Sequence, residues 1–383
     1  MIINSLLDND LYKFCMGQCV FFGKYDGVSF QNVDVEYEFI NRGDTQFPDG
    51  FARSLEDEIV GLHCLRLNSD EADYLRNIRF MKRAYVDFLS SYSFDSSEVK
   101  VCQSGGDLKV TISGPWYRTI FWEVPLMAII SELYYKIAGV SPKFDYILKT
   151  KEKAFTLSNA GCKFSDFGTR RRFSMEVHDD IVDIFRYLAV GTSNVYLAKK
   201  YEMTPIGTMA HEMFMAIAAL FGYKRANQIV LDLWNEEFNG DLGIALSDTF
   251  TSDVFFEQFN MRNSKLFDGV RQDSGDPIQF AQKTINHYQK MRINPISKTI
   301  IFSDSLDVNK AIQIADFCKG KIQCAFGIGT HMTNDVGHKP LNMVIKMSKC
   351  NGKSTVKLSD TPGKHTGDPN EIVKCEQELG IEE

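Results

Sequence analysis

Apolar positions along the first third of the chain switch between two periods. Val33-Asp34-Val35-Glu36-Tyr37-Glu38-Phe39 alternates apolar and acidic residues, the mark of a strand with one buried face, whereas Ser69 to Leu89 reads as polar helix. An α+β domain over residues 1–115 is expected. Gly114-Pro115 interrupts the pattern, and Trp122 to Ala138 then forms a long apolar helical stretch. From about residue 150 to 335, short strand-like runs precede polar turns and amphipathic helices, as in Thr299-Ile300-Ile301-Phe302 before Ser303-Asp304-Ser305 and Gln323-Cys324-Ala325-Phe326 before Gly327-Ile328-Gly329-Thr330. Such alternation implies parallel strands joined by right-handed crossovers, and an irregular α/β barrel over 116–335 is expected to carry the active site. Residues 336–383 contain two extended runs around Asn351-Gly352, a hairpin signal, in a tail expected to pack back on the first domain. No fixed-period repeat is present.

Composition narrows the partners. The 383 residues include 50 Asp and Glu against 43 Lys and Arg, a formal charge of -7, so no global basic field draws nucleic acid or an anionic membrane. The longest apolar stretch, Met213 to Tyr223, is too short to span a bilayer. Asp8 and Asp10 stand where a secretion signal needs a basic segment and an apolar core, so a cytoplasmic location is expected. Nine cysteines without a paired CxxC spacing read as reduced thiols, and the seven histidines offer no close metal-ligand pair.

The position of the polar clusters carries the functional reading. Phe167-Gly168-Thr169-Arg170-Arg171-Arg172, Gly191-Thr192-Ser193-Asn194, Gly207-Thr208-Met209-Ala210-His211, Arg271-Gln272-Asp273-Ser274-Gly275-Asp276, Ser303-Asp304-Ser305 and Gly327-Ile328-Gly329-Thr330 each follow a strand-like run. In a parallel barrel all such ends meet at one face, where active sites lie. An arginine triplet in an acidic protein suggests an anionic substrate, with at least one guanidinium directed to the barrel mouth if the segment is extended. Thr208 reads as the N-cap of a helix through Met213, Phe214, Ile217 and Leu220, which puts His211 at its third position, where free amides favour an anion such as a phosphoryl group on the imidazole. Asp273, Asp276 and Asp304 read as ligands for ribose hydroxyls or organisers of magnesium, or as helix caps. Simple turns, a solvated charge run and a buried core histidine are the alternatives for these clusters taken singly. Met213 and Met215 read as core filling.

Together with the opening Leu6-Leu7-Asp8-Asn9-Asp10-Leu11-Tyr12-Lys13, these motifs fall in the same order as in a known family, and the chain resembles the nicotinate phosphoribosyltransferases over nearly its whole length. Cys15 and Gly17 depart from the residues usual after the opening motif. The resemblance implies a type II phosphoribosyltransferase-like fold, an irregular β/α barrel with an additional α+β sandwich-like domain. It implies ATP-assisted condensation of nicotinate with 5-phosphoribosyl-1-diphosphate (PRPP) to nicotinate mononucleotide, in NAD salvage, with ATP as phosphoryl donor and Mg2+ accompanying the diphosphate. By the same resemblance, Tyr12, Phe167, Arg271 and Ser193 meet nicotinate. Arg170, Asp273, Asp304, Gly327, Gly329 and Thr330 hold PRPP, His211 is phosphorylated, and Tyr12 completes the neighbouring site of a homodimer.

The implied chemistry needs no general base, because the pyridine nitrogen already has a lone pair and the protein supplies positioning and electrostatics. Nicotinamide phosphoribosyltransferases, the nearest rival, place an acidic residue where the substrate amide donates. Thr192-Ser193-Asn194 is expected at that strand end, without a carboxylate to repel nicotinate, which favours the acid. An inactive nucleotide-binding scaffold is the alternative of another class, set against the intact motifs. A sugar-phosphate aldolase or isomerase would need a proton-transfer group at a strand end, and none stands out.

Overall fold

A computed structural model describes residues 1–361 and 365–381 of the chain. Two compact units share the sequence, each assembled from separated stretches. The first comprises Met1–Phe155, Ser165–Gly207 and Ile328–Lys346, and the second comprises Thr156–Phe164, Thr208–Gly327 and the chain from Met347 onward. Residues 362–364 and 382–383 of the expected tail lie outside the described residues.

In the first unit, helix α1 (Leu11–Phe22) precedes an antiparallel group of strands, β1 (Asp34–Asn41), β2 (Val99–Ser104) and β3 (Asp107–Pro115), followed by helix α2 (Glu123–Ile137). β3 lies between the other two, with Tyr37 opposite Ile112 and Cys102 opposite Lys109. The alternation read in the sequence is realised, because Val35, Tyr37 and Phe39 are buried while their neighbours face outward. Ser69 to Leu89 divides into two helices, Ser69–Asn77 and Arg83–Ser91. The first starts at a capping box in which Asn68 accepts from Glu71 N and Glu71 accepts from Asn68 N. Short parallel strands β4 (Phe164–Asp166), β5 (Gly191–Thr192) and β6 (Thr204–Pro205) follow, with Ser165 beside Gly191 and Gly191 beside Thr204. Helices α3 (Met175–Phe185) and α4 (Val195–Lys200) succeed β4 and β5, capped by the side chains of Ser174 and Asn194.

The second unit begins its longest stretch with helices α5 (His211–Phe221) and α6 (Tyr223–Phe238). α5 is apolar on every side and is buried from Glu212 to Ala219, as such a composition requires. Strands β7 (Ile244–Leu246), β8 (Gly269–Gln272), β9 (Thr299–Phe302) and β10 (Gln323–Ile328) are parallel neighbours in that order. Helix α7 (Pro277–Lys290) joins β8 to β9, and α8 (Val308–Cys318) joins β9 to β10. Asp276 caps α7, accepting from Gln279 N at 2.7 Å with Pro277 at the first helical position, so it is a helix cap. β11 (Met343–Cys350) and β12 (Lys353–Ser354) form the expected hairpin, whose Asn351 and Gly352 adopt φ of 47° and 74°, the left-handed pair that a two-residue turn requires.

The α/β class expected from the sequence, a parallel barrel-type arrangement with an added antiparallel α+β portion, holds. All nine cysteines are free thiols. No described helix is long and apolar enough to cross a membrane.

Candidate active site

In the first unit, the residues singled out in the sequence gather around two acidic anchors. Glu123, in the first turn of α2, is partly buried and takes three donors: Lys13 Nζ at 2.7 Å, Arg170 Nη1 at 3.2 Å and the Tyr12 hydroxyl at 3.3 Å. Burial alone would raise its pKa, but Lys13 and Arg170 hold the carboxyl below the usual carboxylate range. The Arg170 guanidinium carbon lies 5.9 Å from the centre of the Tyr12 ring in the same chain. The second anchor, Asp10, accepts from Ser193 Oγ at 2.7 Å while Leu11 N donates to Ser193 O at 2.8 Å, which ties the opening motif to the loop after β5. A carboxylate does therefore reach that strand end, although none is present there in sequence. Burial pushes the Asp10 pKa up, against the pull of Arg170.

The arginine triplet is not extended. Thr169–Arg171 form one 3-10 turn, and the three side chains meet three environments. Arg170 is 41% exposed beside Glu123. Arg171 is partly buried, and its pKa is lowered to about 10 by burial and by the neighbouring Arg170 and Arg42. Arg172 is fully buried and makes a bidentate pair with Asp8, at 2.7 and 2.8 Å. The loop itself is tightly held. Phe167 N donates to Ile328 O at 2.9 Å, and Thr333 Oγ1 donates to Gly168 O at 3.0 Å. A Cβ on Gly168 would lie 2.1 Å from that hydroxyl oxygen, so only glycine fits. Gly329 also approaches this loop, where a Cβ would come within 3.3 Å of Phe167 O, and Thr330 opens the short helix Thr330–Thr333.

The second unit assembles a charged network at the ends of β7, β8 and β9. His211 Nδ1 meets Thr249 Oγ1 at 3.0 Å, and Nε2 meets Asp273 Oδ2 at 3.1 Å, with Asp248 Oδ1 at 3.8 Å. Arg271 donates from Nε to Ser303 Oγ at 2.8 Å and from Nη2 to Asp273 Oδ1 at 3.0 Å, while Ser303 Oγ donates to the same Asp273 oxygen at 2.6 Å. Burial would raise the Asp273 pKa, but Arg271 and His211 drive it well below the carboxylate range. Burial, seconded by Lys357, lowers His211 to about 4, against the pull of Asp248 and Asp273. The imidazole is therefore neutral near pH 7, and facing the ionised Asp273 its Nε2 carries the proton while the Nδ1 lone pair accepts from Thr249 Oγ1.

Helix α5 starts at His211 itself, with Ala210 as the capping residue, so Thr208 is not the cap and His211 is the first helical residue. The segment before it stays extended, with Ala210 at φ -130° and ψ 168°. Asp304 lies in the loop after β9 and accepts from Ser305 Oγ at 3.0 Å. No described hydrogen bond joins it to Asp273, although Ser303 N donates to Gln272 O between their two strands. Gly327 lies within β10. Sequence reasoning missed Asp248 and Thr249, which follow the three-residue strand Ile244-Ala245-Leu246. The burial of Asp248, with Ser274 Oγ donating to it, marks the position. It also missed Glu123, whose only signal is an acid in the first turn of a largely apolar helix.

Each unit thus carries a polar network at its parallel strands, one with Arg170 and one with Arg271 and His211, on a fold of the α/β class. Residues 162–383 match the nicotinate phosphoribosyltransferase (NAPRTase) family, and residues 7–131 match its N-terminal domain. The chain is 49% identical to the nicotinate phosphoribosyltransferase of Desulforapulum autotrophicum and 45% identical to that of Chromohalobacter salexigens, covering 98% and 99% of each chain respectively. Its fold matches the crystal structure of nicotinate phosphoribosyltransferase from Porphyromonas gingivalis with a TM-score of 0.95 at 41% identity, over 99% of this chain and all of that one. The chain belongs to the nicotinate phosphoribosyltransferase family.

Proposed function

We propose that the chain condenses nicotinate with PRPP to give nicotinate mononucleotide and diphosphate, with ATP as phosphoryl donor to His211, in the salvage of NAD. Family membership supports the reaction, and the observation that carries the ATP step is His211, neutral and clasped between Thr249 and Asp273. In this reading the pyridine nitrogen lone pair forms the bond to the ribosyl carbon as the carbon–oxygen bond to diphosphate breaks. The electron pair leaves with the diphosphate.

Arg170 binds the phosphoribosyl or diphosphate group of PRPP, Asp273 and Asp304 hold the ribose, and Gly327, Gly329 and Thr330 receive the 5-phosphate. Arg271 faces the nicotinate carboxylate, with Ser193 also on nicotinate and Tyr12 and Phe167 on the faces of its ring. A homodimer in which Tyr12 serves the neighbouring chain's site is part of the same reading. Among the described residues no group of three or more His, Cys, Asp or Glu side chains is placed to hold a metal. Mg2+ fits this chain as an ion carried chiefly by diphosphate oxygens and water, and it would offset the charge of the leaving group.

The test is production of nicotinate mononucleotide and diphosphate from nicotinate and PRPP, with and without ATP, in wild type and His211→Asn. ATP should accelerate the wild type and leave the variant at its own basal rate. Equal acceleration of the two refutes the phosphohistidine, and faster turnover of nicotinamide than of nicotinate refutes the choice of substrate.

A further inference from the structure

One buried residue joins the two loops that carry Phe167 and Ser193. Asp166 ends β4 and is 1% exposed. Its Oδ1 accepts from Gly168 N at 2.8 Å, so the carboxylate reaches across Phe167 and closes a turn around that residue. Its Oδ2 accepts from Thr192 Oγ1 at 2.7 Å and lies 2.7 Å from His178 Nε2, while its backbone carbonyl accepts from Ser193 N at 2.8 Å. The ion is thus buried with three side-chain contacts, two of them to the loops in question.

His178, on α3, is fully buried. Against an ionised carboxylate its Nε2 must carry the proton and donate, while Nδ1 has no hydrogen-bond partner among the described residues. Burial would raise the Asp166 pKa, but His178, Thr192 and Gly168 together hold it below the carboxylate range. Neither Asp166 nor His178 has a role in the proposed chemistry.

We propose that Asp166, supported by His178, is the positioning residue that sets Phe167 and Ser193 for the pyridine ring, and that its negative charge determines nicotinate affinity. The proposal rests on the reaction assigned above. A carboxylate has acceptor sites for all three donors at once, whereas an amide presents one oxygen and turns an N–H toward a donor. Asp166→Asn therefore loosens one or both loops without a large change in volume. Thr192→Val is milder, removing one hydroxyl donor at nearly constant shape. His178→Gln keeps a donor near the Nε2 position, and His178→Leu removes it.

The experiment measures kcat, the KM for nicotinate and the KM for PRPP in each variant, with thermal melting as a check on folding and calorimetric titration of nicotinate as a binding readout. The nicotinate KM should rise about tenfold or more in Asp166→Asn and about fivefold in Thr192→Val, sizes in the range for losing a hydrogen bond. The PRPP KM should stay near wild type, and His178→Gln should recover most of what His178→Leu loses. A purely structural role reduces the active fraction, so it lowers kcat and leaves the KM unchanged. If Asp166→Asn does not fold, Thr192→Val decides the question. Nicotinate affinity equal to wild type in every folded variant overturns the role of Asp166, as does a PRPP KM that rises equally. A wild type that makes no nicotinate mononucleotide overturns the reaction instead.

Discussion

Arg172→Met removes one half of the buried pair with Asp8 while keeping an unbranched side chain of comparable length. Both partners are almost wholly inaccessible, at 0% and 4% exposure of their side chains, and are joined by two hydrogen bonds at 2.7 and 2.8 Å. Without the guanidinium, the Asp8 carboxylate keeps Asn194 Nδ2, at 2.8 Å, and must otherwise carry its charge in the interior or take up a proton. Breaking such a pair from one side costs about 3–5 kcal/mol. At roughly 2 °C per kcal/mol for a large chain, melting should fall by about 6–10 °C.

The pH dependence supplies a second measure. Burial would raise the Asp8 pKa, but Arg172 and Asn194 hold it below 3.8 in the folded chain. Its contribution is then present above the unfolded value and is lost as pH falls through the folded one, a loss that Arg172→Met should abolish. Urea unfolding of wild type, both single variants and Asp8→Asn/Arg172→Met gives the coupling directly. If each single variant costs less than about 1 kcal/mol, the pair is not the anchor of the opening motif and the reasoning fails.

Gly168→Ala should destabilise the protein by about 1–3 kcal/mol in denaturant unfolding, because its Cβ would lie 2.1 Å from Thr333 Oγ1, and Thr333→Ala should recover part of the loss. With its pKa lowered to about 4, His211 should stay phosphorylatable by labelled ATP down to about pH 5 and lose that capacity nearer pH 4. The same shift removes stability as pH falls from about 6.5 toward 4, since the unfolded imidazole takes up a proton first. A phosphorylation midpoint near 6.5 contradicts the buried, neutral imidazole.

The polar ends of the strands were legible because a β/α alternation places its polar clusters there by construction, and Arg271, Asp273 and Ser303 form one network from two adjacent strand ends. What the alternation could not convey were partners chosen across long sequence separations. The fate of Arg172 depends on Asp8, which lies 164 positions away, so three identical letters gave no hint that Arg172 is fully buried while Arg170 is 41% exposed. Glu123 was hidden by its apolar helix, and Asp248 by a strand too short to show a period. Thr208 has the right chemistry for a cap. Neighbouring Gly207, however, is packed so closely against the start of α1 that a Cβ there would lie 2.8 Å from Tyr12 N, and the helix begins only after the extended Ala210.

The interleaved composition of the two units has a consequence for synthesis. The first unit has its opening 155 residues early, yet its last stretch ends at Lys346. At about 5–20 residues per second a ribosome takes roughly 10–40 s to reach that point, long after local helices and hairpins form. During that interval the loop holding Phe167 lacks Ile328 and Thr333, the two residues whose hydrogen bonds hold it in the finished chain.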